Sequence, residues 1–200
     1  QTTPLQLCLM TAQLANGGFK IYPKITVSKN DKTANEIKDS MKENSNNNKN
    51  NLLEEGQEFL KSLTKGNHEK LFLDPENIRL VREAMFASTN EVRGTSYTSR
   101  IDDPKYQFAG KTGTSQVKRI SKRDRELDLK TFEIPYNERD HALYIAFGPY
   151  ENPRYALSVV IEHGGSGSSA AAPIAKELFK LIIDRHEIRE KMKQKKLINI

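Results

Sequence analysis

Two short apolar segments joined by a turn place the tightest limit on how this chain can fold. Residues 142–147 and 155–161 are rich in aromatic and β-branched side chains, which favour extended structure. Residues 148–153, which lie between them, include two prolines, a glycine and an asparagine, and they predict a turn. We therefore expect the two segments to form a β-hairpin.

Helices are predicted before and after this hairpin in the sequence. Thr3-Pro4 and Asp74-Pro75 each place a capping side chain before a proline at the first helical position. They predict helices over about 4–15 and 75–87. A terminal helix is predicted from about residue 169 to beyond 183. The side chains of this helix that we expect to face the protein interior are Ile174, Leu178, Leu181 and Ile182.

Two further strands complete the predicted fold. Residues 108–118 predict one strand, and the loosely alternating residues 19–27 predict another, with Pro23 near a sheet edge. Helices before and after a group of antiparallel strands indicate an α+β fold, in which helices cover an antiparallel sheet.

A polar segment interrupts this pattern. Lys, Asn, Asp and Glu dominate residues 31–51, which offer almost nothing to bury. A short amphipathic helix is predicted over 52–63. We interpret about 31–70 as a polar, mobile insertion within one domain that spans residues 1–200.

Composition excludes some classes of site. The single cysteine, Cys8, rules out an intrachain disulfide and a cysteine-rich zinc site. The four histidines lack metal-ligand spacing, so we expect no metal and no cofactor: these are His68, His141, His163 and His186. No apolar run approaches the roughly 18 residues of a membrane span. Because the first residue is Gln1 rather than Met, we expect a cut start, with any membrane anchor upstream.

The net charge of +6 permits an anionic partner. Basic residues are mixed with 26 acidic ones, which favours an ordinary solvated surface and no nucleic-acid partner. A non-enzymatic basic module that binds nucleic acid or an anionic surface through residues 185–196 remains an alternative.

The tetrapeptide Lys111-Thr112-Gly113-Thr114 is the segment that carries chemistry. In a strand, Lys111 and Gly113 share one face. Beside a peptide-binding cleft, such a lysine would place a positive charge, and such a glycine would leave room for the backbone of the bound peptide. An open strand edge can also pair with that backbone.

This tetrapeptide resembles the third motif of serine penicillin-binding proteins and serine β-lactamases. Three further stretches narrow the resemblance to the elongation-type penicillin-binding protein 2 family of bacterial wall synthesis. They are residues 3–7, residues 146–153, and Glu162-His163-Gly164-Gly165 before Ala171-Ala172-Pro173.

The resemblance implies a partial transpeptidase fold and a D,D-transpeptidase that acts on stem peptides ending in D-Ala-D-Ala and binds β-lactams. It implies that the Thr112 and Thr114 hydroxyls hold the substrate carboxylate. It also implies that Lys111 and Thr114 act in catalysis, the Thr114 backbone N–H as an oxyanion-hole donor. The implied setting is a periplasmic domain of an inner-membrane protein, with membrane proteins of the elongation machinery as partners.

Two other family motifs lack a convincing match. Ser-x-x-Lys occurs at 62–65, near the end of a predicted helix, and at 115–118, within the motif strand, where residues three apart point to opposite faces. Ser-x-Asn occurs at 28–30 and 45–47, in or beside the polar segment. We therefore expect the nucleophile to lie upstream of this chain. The chain itself would then be the carboxyl-terminal part of a transpeptidase domain, and it would be inactive alone.

Two alternatives stay open beside the transpeptidase and the basic module. A serine β-lactamase or a penicillin-sensing domain shares the third motif, and its deacylation rate would distinguish it. The chain could also be a structural piece whose function lies entirely in the missing part.

Overall fold

The computed structural model of the chain describes residues 2–23, 69–118 and 129–198. Within these ranges the chain forms two helices, a three-stranded antiparallel sheet and a long final helix. The expected α+β class is thus confirmed. No helix among the described residues is both long enough and apolar enough to cross a bilayer.

The first helix, α1, spans Pro4–Ala15, as predicted. The Gln6 backbone N–H donates to the Thr3 hydroxyl oxygen at 3.2 Å. In return, the Thr3 backbone N–H donates to the Gln6 side-chain oxygen at 2.8 Å. This reciprocal pair satisfies two donors that the start of a helix would otherwise leave unpaired.

The second helix, α2, spans Pro75–Asn90 and continues three residues beyond its predicted end. The Asp74 carboxylate caps its start and accepts a hydrogen bond from the Glu76 N–H at 2.9 Å. At the other end, the Asn90 side chain donates to the Phe108 carbonyl oxygen at 2.9 Å. The end of α2 is therefore joined to the residue that precedes the first strand.

The strands are β1 (Ala109–Ser115), β2 (His141–Gly148) and β3 (Tyr155–Ile161), in the spatial order β1-β2-β3. The predicted hairpin is confirmed, because β2 pairs antiparallel with β3. β1 is shorter than the predicted 108–118, and it ends at Ser115 opposite His141. Since β2 is the only described strand that pairs with β1, β1 is an outer strand.

Different helices cover the two faces of the sheet. On one face, Phe147 packs with Ala15 of α1 and Met85 of α2. On the other face, Tyr144 packs in a cluster with the last helix, α3, which spans Ala172–Ile198. The sheet therefore lies between two helical layers, which bury both of its apolar faces.

The face of α3 that meets the sheet is not the predicted one. Three of the expected inward residues are exposed: Ile174, Leu178 and Leu181. Ile182 is half-buried. The buried positions are instead Ala172, Ala175, Phe179 and Ile183. The prediction chose a different apolar face of the same helix. On the buried face, two alanines allow close approach to the sheet, and the Phe179 ring stacks on Phe108 at 4.9 Å between centroids.

One π-helical turn, Gly167–Ala171, precedes α3 and lies against β1 and β2. A Cβ atom added at Gly167 would stand 2.8 Å from the Gly113 carbonyl oxygen. Such a contact is too close for any side chain, so only glycine lets this turn rest directly on the backbone of the motif strand.

Residues 19–71 form a compact unit of their own, of which 19–23 and 69–71 are described. Phe19 forms a single antiparallel bridge with Lys70, and the Lys20 N–H donates to the Glu69 carbonyl oxygen at 2.9 Å. Within 19–23 the predicted strand is thus limited to this bridge. The rest of that strand, the helix predicted over 52–63 and nearly all of the predicted insertion lie outside the described residues.

Candidate functional site on the first strand

All four residues of the predicted motif lie in β1 and are extended. Lys111 and Thr114 are exposed, while Thr112 and Gly113 are half-buried. Among the described strands none pairs with the outer edge of β1, and an unpaired strand edge can accept an added strand. The motif thus has the extended, accessible form that peptide binding requires.

The charge of Lys111 lies at the surface of this strand. Its Nζ donates to the carbonyl oxygen of the adjacent Thr112 at 2.9 Å. Within the described part of the chain, no carboxylate forms an ion pair with it. The ammonium group is therefore available to an anionic ligand.

The glycine of the motif has space beside it. A Cβ added at Gly113 would meet only the Leu143 Cβ, at 3.4 Å, which is an ordinary van der Waals contact. The packing of the described residues therefore leaves room for a small side chain at position 113 and does not require glycine there. A ligand that passes over the strand would explain why no side chain is present.

The glycine just before the motif is in the opposite situation. Tyr144 lies across Gly110, and a Cβ added there would stand 2.7 Å from the tyrosine Cε1 and closer still to the hydroxyl. That hydroxyl lies 2.9 Å from the Thr89 hydroxyl and 3.0 Å from the Ser96 hydroxyl. Burial raises the pKa of Tyr144, and the two hydrogen bonds oppose this only in part.

Thr112 has a partner that the sequence did not reveal. Its hydroxyl lies 3.1 Å from the hydroxyl of Thr95, which in turn lies 3.2 Å from the hydroxyl of Ser88. Thr95 belongs to a loop that carries no periodic pattern. Its contact with a residue 17 positions away has no signal in the sequence.

The structure gives the two Ser-x-x-Lys matches, which are unconvincing on sequence grounds, no support as nucleophiles. Ser115 is the last residue of β1, and Lys118 lies beyond the strand, where its Nζ pairs with Glu138 at 2.5 Å. The match at 62–65 and the two Ser-x-Asn matches noted above, at 28–30 and 45–47, lie outside the described residues.

A third Ser-x-Asn match, which the sequence reasoning missed, is Ser88-Thr89-Asn90 at the end of α2. Hydrogen bonds link all three side chains to residues that lie beside the motif strand. Ser88 reaches it through Thr95, Thr89 through the Tyr144 hydroxyl, and Asn90 through the Phe108 carbonyl. These residues lie on a helix and make structural hydrogen bonds, so they hold the strand in place.

Two histidines lie at the end of the sheet beyond the motif. The His163 backbone N–H donates to His141 Nδ1 at 2.9 Å, and His163 Nδ1 donates to the Arg139 carbonyl oxygen at 3.0 Å. The third described histidine, His186, packs edge-on against the Tyr155 ring at 5.9 Å. In the described ranges, no group of three or more His, Cys, Asp or Glu side chains is arranged to hold a metal ion.

Comparison with known proteins identifies the family. The family described as "Penicillin binding protein transpeptidase domain" matches residues 1–180. The chain belongs to the penicillin-binding protein transpeptidase family. This match confirms the family resemblance found in residues 3–7, 111–114, 146–153, 162–165 and 171–173.

The relatives of this penicillin-binding protein chain include enzymes named peptidoglycan D,D-transpeptidase MrdA. The one from Salmonella typhimurium is 40% identical over 105 residues, covering 52% of this chain and 16% of that protein. The one from Acinetobacter baumannii is 30% identical over 177 residues, covering 88% of this chain and 22% of that protein.

A solved structure shares the fold. The crystal structure of Pseudomonas aeruginosa PBP2 in complex with WCK 5153 aligns with a TM-score of 0.58 and 28% identity, covering 90% of this chain and 30% of that chain. These matches confirm the partial transpeptidase fold and the likeness to penicillin-binding protein 2. This chain spans less than a third of the length of each relative.

Proposed function

We propose that this chain is part of a peptidoglycan D,D-transpeptidase and supplies the strand that holds the donor stem peptide. The observation that carries the proposal is the accessible outer strand, where an exposed ammonium group and an unobstructed glycine lie side by side. A peptide that ends in carboxylate needs both features. Relatives named peptidoglycan D,D-transpeptidase support the reaction.

Each motif residue then has a role. Lys111 provides positive charge beside the substrate, and Gly113 leaves room for its backbone. The hydroxyls of Thr112 and Thr114 donate to the terminal carboxylate, while the Thr114 backbone N–H is one donor to the developing oxyanion. Removing one oxyanion donor typically lowers turnover by about 10²–10³.

The nucleophile in this proposal is a serine outside the 200 residues of this chain. It attacks the carbonyl carbon of the penultimate D-alanine, and the terminal D-alanine leaves as the amine. An amine from a neighbouring stem peptide then attacks the acyl-enzyme, forming the cross-link and releasing the serine. A β-lactam acylates the same serine through its ring carbonyl.

Labelling with a fluorescent penicillin tests this proposal. The full-length protein should form a covalent adduct that survives denaturation, whereas the 200-residue chain should form none. Peptide mapping of the labelled protein should place the adduct on a serine outside this chain. An adduct on Ser62 or Ser115 would contradict the proposal.

A second measurement separates the transpeptidase from a serine β-lactamase. The acyl-enzyme of a transpeptidase should release hydrolysed penicillin slowly, whereas a β-lactamase should turn over many equivalents of penicillin. We further propose a periplasmic location, an inner-membrane anchor outside this chain, and partners in the membrane-bound elongation machinery. Support for these comes from the family likeness.

A further inference from the structure

The loop that carries Thr95 is fixed on both sides of that residue. On one side, the Gly94 N–H donates to the Glu91 carbonyl oxygen at 2.8 Å. On the other, Ser96 is fully buried, and both its backbone N–H and its hydroxyl donate to the Ser88 carbonyl oxygen at 3.0 Å. The backbone of Thr95 is therefore held against the end of α2.

The Thr95 side chain is exposed, and it points to the motif strand rather than to solvent alone. Its hydroxyl bridges Ser88, at 3.2 Å, and Thr112, at 3.1 Å. Because Gly94 and Ser96 fix the backbone around it, this bridge needs little further ordering when a ligand arrives.

We propose that Thr95 is a positioning residue that orients the Thr112 hydroxyl toward the ligand carboxylate. This inference rests on the proposed function, because it assumes that Thr112 contacts that carboxylate. Each hydroxyl in the row Ser88, Thr95, Thr112 has one proton to donate. A carboxylate that accepts from Thr112 makes Thr112 accept from Thr95, and Thr95 accept from Ser88.

The direction of all three hydrogen bonds is thereby set by the ligand. Hydrogen bonds that point the same way along a row polarise one another and strengthen the last donor. Without Thr95, the Thr112 hydroxyl is free to rotate, and its proton is aimed at the carboxylate for a smaller fraction of the time.

The test uses the full-length protein and a fluorescent penicillin as the ligand. Acylation rates measured over a range of penicillin concentrations give the dissociation constant of the first complex and the rate constant of acylation separately. Thr95→Val should weaken the first complex about 2–10-fold, the range expected for one neutral hydrogen bond, and leave the acylation rate constant nearly unchanged. Thr95→Ser should restore binding.

Two controls make the result specific. Thr98→Val changes an exposed threonine of the same loop and should leave both constants unchanged. In a Thr112→Val background, Thr95→Val should have no further effect on binding, because the hydroxyl that it orients is gone. A residue that merely stabilised the loop would lower the acylation rate constant and the unfolding midpoint together.

The outcomes can be told apart. If the wild-type full-length protein forms no penicillin adduct, the proposed function is wrong. If the wild type is acylated but Thr95→Val behaves like Thr98→Val, the inference on Thr95 is wrong while the proposed function stands. An undiminished effect of Thr95→Val in the Thr112→Val background would also overturn it.

Discussion

The two ends of strand β1 are built to different requirements. At its start, Gly110 is buried, and the ring of Tyr144 occupies the space where a side chain would go. Three residues later, Gly113 is half-buried, and a methyl group there would make only an ordinary contact. Internal packing thus requires glycine at position 110 but not at position 113. Under the proposed function, this contrast separates the part of the strand that supports the fold from the part that faces a ligand.

The largest effect on stability is expected for Gly110→Ala. The added methyl group overlaps the Tyr144 ring and should lower the free energy of unfolding by about 1–3 kcal/mol, the usual cost of overpacking. Urea denaturation of the wild type and variant measures it. In a Tyr144→Ala background the same substitution should cost much less. An equal cost in both backgrounds would show that the overlap with Tyr144 is not the cause.

A smaller loss is expected for Tyr144→Phe, which removes the hydroxyl shared with Thr89 and Ser96. The net value of such a buried hydrogen bond is about 1 kcal/mol. Tyr136→Phe is a matched control, because Tyr136 is 64% exposed. Equal unfolding midpoints for the two variants would mean that the Tyr144 hydroxyl adds nothing to the start of the strand.

The difference between the wild type and Tyr144→Phe should also depend on pH. Burial raises the pKa of Tyr144 in the folded protein, so the unfolded chain loses this proton first as the pH rises. Above a pH of roughly 10, the unfolded state binds fewer protons and the wild type loses stability. The stability advantage of the wild type should therefore be constant below that pH and shrink above it. Denaturation of both proteins at several alkaline pH values measures this, and a constant difference would contradict it.

The smallest effect on stability is expected for Gly113→Ala, within about 0.5 kcal/mol of the wild type. In the full-length protein the same substitution should slow penicillin acylation about tenfold or more, since about 1.4 kcal/mol of lost contact corresponds to tenfold. Denaturation and penicillin labelling measure the two effects. If Gly113→Ala is as unstable as Gly110→Ala, the contrast between the two ends of β1 disappears.

The sequence predicted best those features that depend on neighbouring residues. The starts of α1 and α2 follow from a cap and a proline, and the hairpin follows from two apolar segments around a turn. The prediction of which face of α3 points inward was wrong, because the residues of the sheet that the helix packs against decide which of its apolar side chains fit there. Thr95 was missed for a similar reason, since its partner Thr112 is near only after the chain has folded.

The motif illustrates the same limit. Its four residues were found because the tetrapeptide is a familiar unit in an extended segment. The contrast between Gly110 and Gly113 could not be predicted, because both are simply glycine in the sequence. Only the position of Tyr144 on the neighbouring strand distinguishes them.

The small residues of α3 have a consequence for the proposed function. Ala172 and Ala175 let the helix approach the sheet closely, and Gly167, just before it, rests on the backbone of Gly113. A bulkier residue at Ala175 is expected to push the helix outward and to shift the turn that supports the ligand-facing strand. Under the proposed function, substitutions buried behind the sheet are therefore expected to change the rate at which β-lactams acylate the full-length protein.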